Sequence, residues 1–132
     1  MPLPHPQTFA TRRSLAFWSS SPLRQRATSI AGLDGGMVGA HYAANKVGLH
    51  GLIHHLAPRV AAHGMTVNSL APALIGETRM LPLGPDFGGT PVPIPVGRVG
   101  RPDDVAELAV AMLGNGYLTN KVVTLDGGLL PR

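Results

Sequence analysis

The run HYAANKVGLHGLIHHLAPRVAAHGMTVNSLAP, residues 41–72, is the most informative part of this 132-residue chain about its fold. Its first part carries apolar side chains at helical spacing, which predicts a helix over 41–62. Gly64 follows, and glycine suits the left-handed conformation that ends a helix. The apolar run over 65–71 then predicts a strand. A helix that leads into a buried strand is typical of α/β proteins.

The same alternation continues on both sides of this run. Pro102 opens a second predicted helix over 103–113, because proline suits the first turn and the acids there complement the helix dipole. Further strands are predicted over 25–30 and 121–126. Since helices separate the strands, the sequence predicts a parallel sheet of about three strands.

The connection over 73–101 is rich in glycine and proline and long for a passive loop. Its length predicts a substrate loop or lid. Two arginines near its end, Arg98 and Arg101, could bind an acidic carrier or a phosphate. Ion pairs with Asp103 or Asp104 are the simpler interpretation.

The composition excludes several classes of protein. The chain is 44% hydrophobic and 14% charged, which is typical of a globular domain. It has no cysteine, so disulfides, thiolate metal sites and a cysteine nucleophile are excluded. It has no run of about 18 apolar residues, so we predict no transmembrane helix.

The net charge of +4 lies entirely within residues 1–28, which hold four arginines and no acid. From Ser29 onward acids and bases balance, which makes the body a poor nucleic-acid binder. We expect residues 1–28 to form a disordered basic segment and 29–132 to form the domain. The second possibility is a mitochondrial transit peptide, although the early prolines oppose the helix that such a peptide forms. The third possibility is an arm that binds nucleic acid. We therefore expect a cytoplasmic protein, or one of the mitochondrial matrix if this segment is a transit peptide.

Three polar residues carry the candidate chemistry: Ser29, Tyr42 and Lys46. Tyr42 and Lys46 are four residues apart on the predicted helix, so their side chains share one face. An ammonium beside a phenol favours the phenolate, which makes the tyrosine a usable acid or base. Ser29 follows the predicted first strand, where its hydroxyl could donate to a carbonyl oxygen. A Tyr-x-x-x-Lys pair alone is more often a surface pairing.

The spacing of this serine from Tyr42-Ala-Ala-Asn-Lys46 resembles the active-site motif of the short-chain dehydrogenase/reductase family. The nearest group is that of the 3-oxoacyl-acyl-carrier-protein reductases. Other family-like segments follow in family order: Ser29-Ile-Ala-Gly, Gly35-Gly36, Val67-Asn-Ser-Leu-Ala-Pro72, Pro95-Val-Gly-Arg-Val-Gly-Arg-Pro102 and Leu125-Asp-Gly-Gly128. The resemblance covers residues 28–132, and together its motifs are highly specific.

The resemblance implies a role for each site residue and NAD or NADP as cofactor. Tyr42 would be the general acid or base, and Lys46 would favour its phenolate and bind the nicotinamide ribose. Ser29 would orient the carbonyl of a small carbonyl or alcohol substrate. The positions that match the family's nicotinamide-lining residues are Pro72, Ile75 and Thr78. Thr78 is shifted by one residue from the family spacing, and Ala73 stands where the family usually has glycine.

Some parts of the family pattern have no match in this sequence. The glycine-rich turn that holds the cofactor pyrophosphate has no counterpart upstream of Ser29. Polar Arg24, Gln25 and Arg26 stand where a central strand should be apolar. The sequence therefore predicts a partial doubly wound, Rossmann-like parallel sheet with flanking helices, in which the first half of the fold is absent.

These features lead to two hypotheses for function. The first is an NAD(P)-dependent oxidoreductase whose activity is impaired by the missing half. The second is a catalytically silent interaction module, which associates with itself or with full-length relatives through the helix over 41–62. The resemblance implies that this helix belongs to a four-helix dimer interface.

Two other chemistries are open on residue types alone. His50 and His54 are four apart, with His55 adjacent, and imidazoles at that spacing can bind zinc. No third ligand is evident, so we predict no metal site and expect these histidines to face solvent or a partner helix. A Ser29–His–Asp hydrolase lacks the G-x-S-x-G elbow that such an enzyme needs.

Overall fold

The computed structural model of the protein describes residues 28–35, 39–82 and 92–131. Five elements follow one another along the chain: α1 Ala31–Asp34, α2 Ala40–Ala61, β1 Ser69–Pro72, α3 Pro102–Gly114 and β2 Val122–Leu125. Both predicted long helices are confirmed to within one residue at each end. None of the helices in the described ranges is long and apolar enough to cross a membrane.

The two strands pair in parallel, with Ser69 opposite Val122 and Pro72 opposite Leu125. The fold is therefore α/β with a small parallel sheet, as predicted. The described part of the chain holds two strands, so the prediction of three is not confirmed.

The first half of the predicted strand over 25–30 lies outside the described residues, as does the basic segment 1–28 apart from Thr28. The described end of that strand runs along β1. The amides of Thr28 and Ile30 donate to the carbonyl oxygens of Leu70 (3.1 Å) and Pro72 (3.2 Å). Because neighbouring residues of β1 bond to β2, this segment follows the opposite edge of β1.

The strand predicted over 65–71 begins later, at Ser69. Before Ser69, hydrogen bonds that involve side chains take the place of the backbone bonds expected between two strands. The amide of Asn68 donates through Nδ2 to the carbonyl oxygen of Leu118 (2.7 Å), and its Oδ1 accepts from the amide of Lys121 (3.2 Å). The amide of Val67 donates to Thr119 Oγ1 (3.2 Å). Such side-chain bonds compete with regular strand pairing.

The long connection over 73–101 is tied together at its two ends. Ile75 and Gly100 form an isolated parallel bridge. The amide of Gly76 donates to the carbonyl oxygen of Gly100, and the amide of Gly100 donates to that of Leu74, both at 2.9 Å. Residues 83–91 lie outside the described residues, so the lid remains a prediction.

Candidate active site

Tyr42 and Lys46 lie one turn apart at the start of α2. The amide of Tyr42 donates to the carbonyl oxygen of Gly39 at 3.1 Å, which places the tyrosine in the first turn. The Nζ atom of Lys46 lies 5.3 Å from the centre of the Tyr42 ring. This separation is within the range of a cation–π contact. The structure therefore brings the ammonium and the phenol ring together, as their spacing predicts.

Ser29 lies within the segment Thr28–Ile30, which runs alongside β1, and it comes shortly before the short helix α1. Its Oγ accepts a hydrogen bond from the amide of Ala31 at 3.2 Å. A hydroxyl oxygen that accepts such a bond can still donate its own proton. The local turn thus orients Ser29 and leaves its donor function compatible with a substrate oxygen.

The helix that follows Ser29 packs on the turn that carries Lys46. A carbon added at Gly32 would lie 3.1 Å from the backbone nitrogen of Val47 and 3.2 Å from the carbonyl carbon of Lys46. Glycine at this position therefore permits the close approach of α1 to α2. The convergence of the Ser29 and Tyr42 hydroxyls on one substrate stays a prediction.

The three residues expected at the nicotinamide end have different surroundings. Pro72 ends β1, and Ile75 forms the bridge to Gly100. Thr78 Oγ1 donates to the carbonyl oxygen of Ile75 (3.0 Å) and accepts from the amide of Leu81 (3.1 Å). The Thr78 hydroxyl thus stabilises a local turn, which is a structural task that its sequence position did not suggest.

A cavity of about 200 Å³ lies at the carboxyl ends of the two strands. Leu74 and Leu125 supply part of its apolar wall, and Arg98, Asp104 and Asp126 supply charge. Ser29, Tyr42 and Lys46 do not line it. The cavity is thus separate from the candidate catalytic residues.

Arg98 forms an ion pair with the carboxylate of Asp104 beside this cavity. Its Nη1 and Nη2 atoms donate to Asp104 at 2.7 and 3.0 Å, and the amide of Arg101 donates to the same carboxylate at 2.7 Å. These bonds raise the pKa of Arg98 and lower the pKa of Asp104 to about 2. The expected ion pair is confirmed for Arg98 with Asp104, whereas Arg101 contacts Asp104 through its backbone amide.

The histidines of α2 have two kinds of environment. His54 and His55 are exposed, and His54 Nδ1 lies 2.7 Å from Asn120 Oδ1. His50 is buried, with 6% exposure, which contradicts the first of the two expectations, that it faces solvent, and leaves the second, that it faces a partner helix, as a prediction. Its Nε2 makes no hydrogen bond within the part of the chain that the structure describes. Within that part, no three histidine, aspartate or glutamate side chains are grouped to hold a metal ion.

Two further polar residues near the candidate site were not singled out from the sequence. Thr28 and Ser69 are each 4% exposed, and their hydroxyl oxygens are 2.6 Å apart. Both are polar residues at inward positions of buried strand segments. That pattern is visible in a sequence only once the pairing of the strands is known.

The donor set fits one end of a nicotinamide dinucleotide. The Tyr42 phenol and the Lys46 ammonium are donors that suit ribose hydroxyls. By contrast, α3 begins with Asp103 and Asp104, whose negative charge opposes a pyrophosphate at that helix end. The start of α3 is therefore unsuited to the cofactor phosphates, whereas the Tyr42–Lys46 pair suits the nicotinamide ribose.

A two-stranded parallel sheet with flanking helices, one of which pairs Tyr42 and Lys46 a turn apart, is consistent with a partial Rossmann-like α/β fold. The chain belongs to the short-chain dehydrogenase/reductase family. The family profile described as enoyl-(acyl carrier protein) reductase matches residues 26–130.

Similar proteins support the resemblance to the 3-oxoacyl-acyl-carrier-protein reductases. The chain is 38% identical over 106 residues to acetoacetyl-CoA reductase of Shinella zoogloeoides, covering 76% of this chain and 44% of that protein. It is 36% identical over 104 residues to 3-oxoacyl-[acyl-carrier-protein] reductase of Aggregatibacter actinomycetemcomitans, covering 77% and 43%. It is 35% identical over 101 residues to carbonyl reductase family member 4 of Danio rerio, covering 76% and 42%.

A crystal structure shows the same fold. The 3-oxoacyl-[acyl-carrier protein] reductase of Brucella melitensis superposes with a TM-score of 0.67 and 31% identity, over 78% of this chain and 40% of that one. The chain thus spans less than half the length of the relatives that it matches.

Proposed function

We propose that this chain carries the proton-transfer part of an NAD(P)-dependent carbonyl/alcohol oxidoreductase. The observation that supports it is the Lys46 ammonium, 5.3 Å from the centre of the Tyr42 ring and one turn away on the same helix. Membership of the short-chain dehydrogenase/reductase family is consistent with this chemistry.

In the direction of reduction, Tyr42 gives its phenolic proton to the substrate oxygen while Ser29 donates a hydrogen bond to that oxygen. A bound nicotinamide cofactor in its reduced form, NADH or NADPH, would supply the hydride that reduces the carbonyl carbon and would leave as NAD+ or NADP+. The Lys46 ammonium stabilises the phenolate that remains on Tyr42 and binds the nicotinamide ribose. In oxidation the phenolate takes the proton back from the alcohol. Proton transfer of this kind contributes about 10²–10⁴-fold to the rate.

The remaining family positions complete the proposed site. Pro72, Ile75 and Thr78 line the nicotinamide end of the cofactor, with Thr78 shaping the turn through its bonds to Ile75 and Leu81. The substrate is a small carbonyl or alcohol. Since similar proteins are named for 3-oxoacyl and acetoacetyl thioesters, acetoacetyl-CoA is the first substrate to test.

The test combines cofactor binding and turnover in the purified chain. NADH and NADPH are titrated by fluorescence, and oxidation of the cofactor is followed with acetoacetyl-CoA. We expect binding that is weak but measurable below millimolar cofactor, because the sequence shows no glycine-rich turn for the pyrophosphate. We expect Tyr42→Phe to abolish turnover while cofactor binding persists. Tyr117→Phe is the matched control, because Tyr117 is fully exposed and lies near the end of α3. Absence of binding up to millimolar cofactor would contradict the enzymatic proposal.

A second candidate function is that of a silent interaction module. Val47 and Leu52 on α2 are large apolar side chains that are about half exposed. Such residues favour self-association or association with full-length relatives through α2. Light scattering of the purified chain tests this function: a dimer that Val47→Ser and Leu52→Ser dissociate supports it, and a monomer at all concentrations contradicts self-association.

A further inference from the structure

A pair of buried hydroxyls lies directly beside Ser29. Thr28 Oγ1 and Ser69 Oγ are 2.6 Å apart, and Thr28 Oγ1 also donates to the carbonyl oxygen of Leu70 at 2.9 Å. A hydroxyl has one proton to donate. Because Thr28 gives its proton to Leu70, the Ser69 hydroxyl donates to Thr28 Oγ1.

The backbone holds the same segment on both sides of Ser29. The amide of Thr28 donates to the carbonyl oxygen of Leu70, and the amide of Ile30 donates to that of Pro72. Successive side chains of an extended segment point to opposite faces. Thr28 therefore points into the interior and Ser29 points to the other face, so Thr28 acts on the reaction only through Ser29.

Burying a hydroxyl group in the interior costs free energy unless the group forms a hydrogen bond. An apolar side chain would bury there without any polar group to satisfy, whereas a hydroxyl must find a partner. The two hydroxyls satisfy each other only when Thr28 is opposite Ser69 and Leu70. A slip of one residue would separate the pair and would turn Ser29 to the opposite face, since the side-chain period of a strand is two.

We infer that Thr28 and Ser69 are positioning residues, whose hydroxyl pair sets the register of the Thr28–Ile30 segment on β1 and thereby directs the Ser29 hydroxyl toward the substrate. This inference rests on the proposed function of Ser29. Thr28 and Ser69 are each only 4% exposed, so we assign the pair no direct contact with substrate or cofactor.

The experiment compares Thr28→Val, which keeps the shape and removes the hydroxyl, with Thr28→Ser, which restores the hydroxyl. Ser69→Ala removes the other partner. Thr119→Val is the matched control, because Thr119 Oγ1 also bonds across the sheet, to the amide of Val67, at the end away from Ser29. Each variant is measured by amide hydrogen exchange and by turnover of acetoacetyl-CoA.

Exchange at the amides of Ile30 and Ala31 reports the register directly, since these groups bond to Pro72 and to Ser29 Oγ. We expect Thr28→Val and Ser69→Ala to accelerate exchange there and to lower kcat by about 10- to 100-fold, the cost of a misplaced catalytic group. The KM for NAD(P)H should stay unchanged. Thr28→Ser should restore both readouts, and Thr119→Val should alter neither.

If the amides of Ile30 and Ala31 exchange at the same rate in Thr28→Val as in Thr119→Val, the inference is overturned. Accelerated exchange with an unchanged kcat would overturn it as well, because the register would then not matter to Ser29. A wild-type chain that binds cofactor but shows no turnover would contradict the proposed function. The exchange rates would then still show, independently of turnover, whether the Thr28–Ser69 pair sets the register of the Thr28–Ile30 segment.

Discussion

Gly32 lies against His50 at the contact between α1 and α2, where a carbon added to the glycine would be 3.1 Å from Cε1 of the imidazole. The same carbon would lie 3.1 Å from the backbone nitrogen of Val47, which cannot move aside by rotating a side chain. Because α1 begins two residues after Ser29, this contact determines how the serine segment meets the helix of Tyr42.

We expect Gly32→Ala to destabilise the protein by about 1–3 kcal/mol, the usual cost of overpacking. Urea unfolding measures the change. Gly48→Ala is the control, since Gly48 lies inside α2 and an added carbon there would meet nothing within 4 Å. Alanine should stabilise the helix at that position by up to about 1 kcal/mol. Equal effects of the two substitutions would show that α1 does not pack closely on α2.

The second prediction concerns the pH dependence of stability through His50. Burial, and then the nearby charge of His54, lower the pKa of His50 below its ordinary value of 6.5. The folded state therefore favours the neutral imidazole, and the unfolded state binds more protons. The unfolding free energy should fall as the pH drops below 6.5 toward the lowered pKa of the folded state.

His50→Leu should remove part of this slope, because leucine fills the buried site without a titrating group. Unfolding at several pH values between about pH 7 and pH 5 measures the slope. His55→Leu is the control, since His55 is exposed on the same helix. The prediction is wrong if the slope is the same in His50→Leu and in the wild type.

The third prediction concerns acid stability at the start of α3. The hydrogen bond from Arg98, and then that from the amide of Arg101, lower the pKa of Asp104 from 3.8 to about 2. The folded state favours the carboxylate, so its stabilising effect is present above pH 3.8 and is lost as the pH falls through about 2. Asp104→Asn should lower Tm at neutral pH and weaken this acid dependence. Asp103→Asn, in the same first turn, should change Tm less; a reversed order would contradict the role of Asp104.

The fourth prediction concerns the turn after β2. Gly127 has φ +63°, and an added carbon would lie 2.6 Å from Cγ2 of Ile94 and 2.8 Å from Cγ2 of Val96. Gly127→Ala should cost about 1–2 kcal/mol for the left-handed backbone and about 1–3 kcal/mol more for the clash. Gly64→Ala isolates the first cost, since Gly64 has φ +71° and nothing within 4 Å of an added carbon. Thermal unfolding compares the two, and equal losses would contradict close packing of the Ile94–Val96 segment on Gly127.

Much of the architecture was predictable because it depends on local patterns. Helical spacing of apolar residues placed α2, and a proline followed by two acids placed the start of α3. The four-residue spacing of Tyr42 and Lys46 predicted the contact that the structure shows. The limits of β1 were less predictable, because Asn68 forms bonds with residues some fifty positions later that end regular pairing.

The α/β order, the two long helices and the tyrosine–lysine pair could be predicted from the sequence alone, because each depends on residues a few positions apart. The burial of His50 against Gly32 and the hydrogen bond between Thr28 and Ser69 are visible only in the folded molecule. These contacts join residues that are far apart in the chain, and their energies depend on desolvation and on strand register, which no local pattern specifies.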